Sequence, residues 1–260
     1  MKASYFPGCT LKNKAKELDV YARRCAEALG VSLEEPDAWQ CCGGVFTTAA
    51  DEVATKLSSV RLLKGAKEKG QPLVTLCSAC HNVVKQTEYA IQNNAEFADR
   101  VNRYMADEGG YTGGAQIYHY LELLRDVVGF DNLKEKVVNP LKGKKIAAYY
   151  GCLLLRPGKV MGMDDPENPT IMEDLIRAMG AEAVVYANRN ECCGGYAVLE
   201  SRELAERASR AVMDNARARG AELIVTACPL CKYNLEKCGG DLPVVYFTEL
   251  LAEAMGVKDE

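Results

Sequence analysis

This 260-residue sequence has little of what most functions require. It holds two histidines, His81 and His119, and one tryptophan, Trp39. Its longest uncharged apolar run, Ile146 to Leu155, is about half of what a membrane-crossing helix needs. Neither sign of charge dominates: 32 basic residues stand against 36 acidic ones, mixed along the chain, so there is no basic field for a phosphate backbone and nucleic acid is not expected as a partner. No G-x-G-x-x-G or Walker pattern occurs, and the glycines at 109–114 read as a flexible connection. No C-x2-C-x2-C-x3-C-P ferredoxin run is present. Met1-Lys2 leads to Pro7-Gly8-Cys9 without an apolar signal region, so a cytoplasmic protein is expected. With 48% hydrophobic and 26% charged residues the composition is that of a globular chain with a real core.

Cysteine is what the sequence has in excess, twelve in all. Disulfide scaffolds are short, loop-rich and exported, whereas this chain is long and helix-rich, so reduced thiolates that hold metal fit better. Ten of the twelve fall into two matching sets: C-x31-C-C-G-x33-C-x2-C from Cys9 and C-x39-C-C-G-x33-C-x2-C from Cys152. Cys41, Cys77 and Cys80 each recur 151 positions later, as Cys192, Cys228 and Cys231, while Cys9 recurs 143 positions later as Cys152. The repeat is therefore rigid from the double cysteine onward, and a fixed spacing over that length marks a duplicated structural unit.

In the first half, residues 2–6 read as a strand that ends at Pro7-Gly8-Cys9. Apolar positions from Asn13 to Leu29 recur at helical spacing until Gly30, and a brief strand near 31–34 leads to the double cysteine. Thr47 or Thr48 is a candidate cap for a helix running towards Gly70, and Pro72–Leu76 is strand-like before Cys77-Ser-Ala-Cys80 opens another helix. The second half repeats this, with strands at 145–150, near 183–187 and at 223–227, each ahead of its cysteines. Residues 84–141 look mainly helical. Alternating strands and helices predict an α/β fold of two pseudo-symmetric Rossmann-like lobes, residues 1–141 and 142–260, with short parallel sheets and one CCG motif each. In such sheets functional groups collect at the carboxyl ends of the strands, which gathers five distant cysteines onto one edge.

Thiolates bind zinc, copper(I) and iron–sulfur clusters, so the residue type alone does not name the metal. Count narrows the choice. A structural zinc or a cubane cluster takes four cysteines, and five per half, two of them adjacent, point to a larger or less regular cluster. Such clusters are anionic and suit the N–H groups of helix N-termini. Gly43, Gly44, Gly194 and Gly195 either let the backbone approach sulfur or serve as plain strand-to-helix turns.

With the stretches Phe6-Pro-Gly-Cys-Thr10, Tyr149-Tyr-Gly-Cys152 and Asp164-Asp-Pro-Glu-Asn-Pro169, the doubled motif resembles the heterodisulfide reductase B-subunit family of cysteine-rich CCG-domain proteins, over nearly the whole chain. The resemblance implies two non-cubane [4Fe-4S] clusters, one on Cys9, Cys41, Cys42, Cys77 and Cys80 and the other on Cys152, Cys192, Cys193, Cys228 and Cys231. It also implies reductive cleavage of a small-molecule disulfide with electrons from a ferredoxin-like C-type subunit, behind which stands a flavin-containing A-type subunit. Two iron sites flanking one disulfide would each capture a sulfur as the bond parts, which gives the duplication a purpose. A second reading keeps the clusters as an electron-transfer or quinone-facing subunit without disulfide chemistry. Direct attack by Cys228-Pro-Leu-Cys231 as a dithiol leaves three cysteines per set without a use, and a zinc scaffold leaves one.

His81, directly after Cys80, is the candidate proton donor to the leaving thiolates, set against a solvent-exposed or cluster-bonding histidine. His119 reads as packing or surface, Cys25 as a buried core thiol and Cys238 as a helix-end residue. Arg156 and Asp164–Pro169 either line a substrate pocket or form a salt-bridged arginine and a capped loop.

Overall fold

A computed structural model of the chain describes residues 1–44 and 52–258. The first half runs β1 (Lys2–Phe6), α1 (Cys9–Asn13), α2 (Lys16–Ala28), β2 (Ser32–Glu34), α3 (Glu52–Glu68), β3 (Leu73–Thr75), α4 (Ser78–Asn93), α5 (Ala95–Tyr104), β4 (Ile117–His119), α6 (Tyr120–Glu122) and α7 (Phe130–Glu135). The second runs β5 (Lys145–Tyr149), α8 (Gly158–Met161), α9 (Ile171–Ala178), β6 (Glu182–Val184), α10 (Arg202–Ala218), β7 (Leu223–Thr226), α11 (Pro229–Cys238), β8 (Val244–Tyr246) and α12 (Phe247–Met255).

The strands form two four-stranded sheets, ordered β2-β1-β3-β4 and β6-β5-β7-β8, and every pairing is parallel. Ser4 sits between Glu34 and Leu73 in the first sheet, as Ile146 sits between Ala183 and Leu223 in the second. The central strands are apolar because helices cover both faces of a parallel sheet, and all of β1 but Lys2 and all of β5 but Lys145 are buried. In both sheets the strand order reverses beside the first strand, and the crevice beyond the carboxyl ends at such a switch point is where ligands bind in open α/β sheets.

The expected α/β class with two parallel lobes is thus what the chain adopts, with one more strand per half than the hydrophobic pattern indicates. β4 lies in the stretch 84–141 read as mainly helical, and β8 follows the last ligand cysteine. Each has three residues, too few for a period-two pattern to stand out. The candidate caps Thr47 and Thr48 lie outside the described residues.

One cluster of buried apolar side chains spans both sheets, from Leu18, Ala22 and Leu63 through Ile146, Leu155 and Ile176 to Phe247, Leu250 and Leu251, and a second one, with Tyr149, Val212, Met213 and Ile224, belongs to the second half alone. α12, the last element of the second half, packs on α2 of the first, and Thr248 Oγ1 donates to Leu18 O at 3.1 Å. Where β3 and β7 end, the halves meet. Ser78 Oγ and N–H donate to Ala227 O at 2.8 and 3.3 Å, and the Tyr246 hydroxyl reaches Leu76 O at 2.6 Å and Ala227 O at 3.0 Å. Those carbonyls precede Cys77 and Cys228.

Removing the hydroxyl that ties the two carbonyls leaves Ala227 O with Ser78 and Leu76 O with His119, so Tyr246→Phe is expected to cost about 1 kcal/mol of stability. Urea unfolding of the purified protein checks this, and a midpoint equal to wild type would show that the bridge carries no load.

Candidate metal centre

The two central strands of each sheet deliver a cysteine within a few residues of their ends. Cys9 follows β1 and opens α1, and Cys152 follows β5. Cys77 and Cys228 are the N-cap residues of α4 and α11, so Cys80 and Cys231 fall in the first turn of those helices. The C-x-x-C spacing therefore has a local reason: it sets one sulfur before a helix and the next inside its first turn, where N–H groups lack carbonyl partners. Backbone N–H groups of Leu230 and Cys231 donate to the Cys228 sulfur, and that of Cys80 to Cys77.

The ten sulfurs of the two motifs form one continuous band. In the first half Cys9 and Cys41 are 3.6 Å apart, Cys41 bonds Cys42, Cys42 and Cys80 are 3.4 Å apart, and Cys80 bonds Cys77. In the second, Cys193 and Cys231 are 3.6 Å apart, Cys192 bonds both Cys152 and Cys193, and Cys228 bonds Cys231. Cys77 and Cys228 face each other across the junction of the halves, near enough for each to shift the acidity of the other. Cys9, Cys41 and Cys192 are exposed, and the C-x-x-C pairs are buried. Cys25 and Cys238 are buried on α2 and at the end of α11, in keeping with a core thiol and a helix-end residue.

Crowded thiols share protons, and their acidities diverge accordingly. Hydrogen bonds from Cys152 and Cys193 hold the Cys192 thiol down at about 2, and one from Cys80 holds Cys42 at about 7. Burial pushes Cys41 up to about 11, and donation to Cys192 pushes Cys193 up to about 12. Cys228 is lowered, chiefly by Cys231, while Cys77 and Cys80 are raised.

Glycine keeps the backbone against these sulfurs. A Cβ on Gly8 would stand 2.7 Å from Cys80 Sγ, and one on its counterpart Gly151 would stand 3.2 Å from Cys231 Sγ. Gly194 has φ +81°, and a Cβ there would meet Ala205 Cα at 2.8 Å, so the turn after Cys193 accepts no other residue without strain. Both readings of the CCGG glycines hold, since Gly195 would place a Cβ 3.4 Å from Cys193 Sγ. Further donors fix the carbonyls of the double cysteines. Ser58 Oγ bonds Cys41 O at 2.9 Å; Ser209 Oγ and Asn234 Nδ2 bond Cys193 O at 2.8 and 2.6 Å. The serines were missed in the sequence although they too are 151 positions apart.

This donor set suits a cluster of several irons. Among the described residues no three His, Cys, Asp or Glu side chains are placed to hold a metal ion. The sulfurs of each half are strung out in a chain instead, and the glycines keep the space beside them clear. All five cysteines of the second half line one cavity of about 220 Å³, whose other walls include Tyr196, Val198, Leu199 and Tyr233. Leu199 and Tyr233 are 80% and 64% exposed, so the mouth of the cavity is apolar and wet. The Tyr196 hydroxyl crosses to Gly44 O at 2.7 Å, joining this mouth to the first CCG turn.

His81 is wholly buried. Its Nδ1 lies 2.9 Å from Thr75 Oγ1, and its Nε2 faces Glu122 Oε2 at 3.3 Å, out of line for a good hydrogen bond. The solvent-exposed alternative is corrected, and a proton from this ring would have to pass through Thr75 or Glu122. Burial pushes the imidazole down in spite of Glu122, so the ring is neutral. His119 packs edge-on to His81, its ring centroid 5.3 Å away. Leu121 N–H donates to His119 Nδ1 at 3.2 Å, so the proton is on Nε2, which donates to Leu76 O at 3.0 Å. It ends β4 rather than lying within a helix.

Arg156 and Asp164–Pro169 brace the second CCG segment from behind, which corrects the pocket-lining alternative. Arg156 donates to Asn190 O at 2.9 Å and Pro166 O at 3.2 Å, and pairs with Glu167; Asp164 Oδ2 accepts from Thr170 and Ile171 N–H.

The model of the CCG cysteine-rich domain family matches twice, at residues 3–85 and 146–236. Among curated proteins the chain is 31% identical to the membrane anchor subunit of an 8-methylmenaquinol:fumarate reductase of Wolinella succinogenes, covering 98% of this chain and 92% of that one. It is 30% identical to a protein of Archaeoglobus profundus described as like the B subunit of heterodisulfide reductase, covering 100% and 92%. It is 28% identical to the B subunit of the ferredoxin/F420H2-dependent CoB-CoM heterodisulfide reductase of Methanosarcina acetivorans, covering 100% and 91%. A hypothetical protein from Helicobacter pylori has the same fold, with a TM-score of 0.77 at 13% identity; the match covers 99% of this chain and 49% of that one.

The buried polar cluster behind Cys80 makes stability depend on pH. Burial, then the neighbouring His81, push His119 from its ordinary 6.5 down to about 3. Burial pushes Glu122 up, but His81, Lys85 and the His119 N–H overcome it and hold the carboxyl at about 2, below its ordinary 4.5. Both folded values are depressed, so both contributions are full above the unfolded values and are lost as pH falls, from 6.5 for His119 and from 4.5 for Glu122. Between pH 7.5 and 5 the melting midpoint of the wild type is expected to fall by roughly 5 °C more than that of His119→Gln. Parallel curves for the two proteins would refute the assignment.

Proposed function

The chain belongs to the cysteine-rich CCG-domain family as an iron–sulfur protein of the heterodisulfide reductase B-subunit type, and we propose on that footing that it reductively cleaves a small-molecule disulfide between two non-cubane [4Fe-4S] clusters. The observation that carries this reading is the meeting of Cys77 with Cys228, which turns two five-cysteine sets into one band with two sites side by side. Cys9, Cys41, Cys42, Cys77 and Cys80 would hold one cluster, and Cys152, Cys192, Cys193, Cys228 and Cys231 the other. When bound, the clusters supply single electrons and thiophilic iron to the two sulfurs of the substrate.

In this reaction one S–S bond breaks, and two electrons from partner subunits and two protons from water convert the disulfide into two thiols. The chain's own residues orient and exclude. Tyr196, Val198 and Leu199 offer an apolar wall to a substrate entering the second site, and the Tyr246 bridge ties together the strand ends that carry the two sites. His81 is a positioning residue in this scheme, holding the start of α4 through its hydrogen bond with Thr75 Oγ1. Relatives are named as subunits of heterodisulfide reductase complexes, and a ferredoxin-like C-type subunit with a flavin-containing A-type subunit behind it are the partners proposed as the electron source. Among the described residues no helix is long and apolar enough to cross a membrane. A cytoplasmic setting is part of the proposal.

A second reading, a quinone-facing electron-transfer subunit, is favoured by the apolar mouth of the cavity and by the relative that serves an 8-methylmenaquinol:fumarate reductase. Turnover of disulfides with reduced viologen, run beside oxidation of a menaquinol, separates the two. Disulfide turnover alone upholds the reductase, and quinol oxidation alone transfers the function to the alternative.

Anaerobically purified protein is expected to hold about eight irons and as much acid-labile sulfide, and Cys42→Ser or Cys193→Ser to hold about half of each. Zinc without sulfide, or full iron content in both variants, would reject the cluster assignment.

A further inference from the structure

The three carbonyls ahead of Cys192 are each bound by a donor from the segment that carries Cys152. Arg189 O accepts the N–H of Tyr150 at 2.8 Å and of Gly151 at 3.4 Å, Asn190 O accepts Arg156 Nη1 at 2.9 Å, and Glu191 O accepts the Tyr149 hydroxyl at 2.8 Å. Behind them lies a buried ionic group. Arg189, 8% exposed, faces Glu173 Oε1 at 3.2 Å and bonds Tyr186 O and Asn168 Oδ1; Glu173, 1% exposed, accepts the Tyr150 hydroxyl, which in turn accepts Met172 N–H at 2.9 Å.

The first half has different chemistry at these positions. The 143-residue shift pairs Tyr149 with Phe6, which has no hydroxyl, and Tyr150 with Pro7, which has no N–H; the 151-residue shift pairs Arg189 with Ala38. There the segment ahead of Cys41 is held by Trp39 and by Glu35, whose carboxylate pairs with Lys12 and Arg23 at the surface. Trp39 stands edge-on to Phe6, with ring centroids 5.1 Å apart, and its indole N–H bonds Glu35 at 2.8 Å.

We propose that Tyr149, Tyr150, Arg156, Glu173 and Arg189 are a positioning set for the second site alone, locking the Cys192–Cys193 segment to Cys152. The inference deepens the cluster reading by making the two sites unequal: buried hydrogen bonds tie the second double cysteine directly to the Cys152 segment, and in the first half the corresponding tie runs through Trp39 and the part-exposed Glu35 pairs. A removable brace behind metal ligands typically changes metal affinity by about 10–100-fold.

Alkylation of individual cysteines by iodoacetamide, mapped by mass spectrometry on the purified full-length protein, tests this within one molecule. In Arg189→Met, Cys152 and Cys192 are expected to react about tenfold faster than in wild type while Cys9 and Cys41 keep their rates. Tyr149→Phe, which keeps the ring and removes one donor, gives the same pattern at smaller size and serves if Arg189→Met does not fold. An equal rise at all four cysteines, or a rise at none, overturns the proposal. The readout is thiol accessibility, so absence of iron from both halves would sink the cluster reading and leave this test standing.

Discussion

Ten sulfurs crowded into one band set the terms for everything else in the molecule. Thiols this close either oxidise in pairs or share protons. The chain gathers them from three places in each half, the end of the first strand, the CCG turn and the start of the helix that carries C-x-x-C. That arrangement requires two parallel sheets whose switch points face each other, and it requires the backbone to come within van der Waals distance of sulfur. Gly8, Gly151 and Gly195 meet the second requirement, because at each of them a Cβ would occupy the space beside a cysteine. The raised acidities of Cys42 and Cys192 are a direct result of the crowding, since an anionic sulfur among neutral thiols gathers their hydrogen bonds.

Much of this was written in the spacing. A repeat of 151 positions after a shorter one of 143 implies an insertion ahead of the second double cysteine, and the structure places α8 and the Asp164–Pro169 loop there. Strand, cysteine and helix succeed one another as the periodicity indicates. What the sequence concealed was short or non-local. β4 and β8 have three residues each, so their identity comes from their neighbours in the sheet rather than from any pattern of their own. The continuity of the core across the two halves depends on α12 returning to α2, a contact between residues more than 200 positions apart. No local pattern carries that information. The surroundings of His81 and Arg156 were equally hidden, because proximity to a cysteine in sequence does not fix which way a side chain faces.

The duplication is faithful in its ligands and loose in its supports. Ser58 and Ser209 keep the repeat yet bond different carbonyls, of Cys41 and Cys193. His81 faces Glu122 in one half, while Lys232 lies 3.8 Å from Glu249 in the other, a neutral ring exchanged for a cation at corresponding positions. Side chains that touch sulfur are constrained by the chemistry of the site, whereas those one layer further out answer only to local packing. Two halves with the same cysteines therefore differ in the side chains packed behind them.

The return of α12 to α2 also bears on the order of events during synthesis. α12 follows all ten cysteines in the chain, so on the ribosome every ligand emerges before the segment that fastens the halves together. Until then Leu18 and Ala22 on α2 lack the partner that covers them, so this part of the shared core is completed only after the last of the ten cysteines has been made.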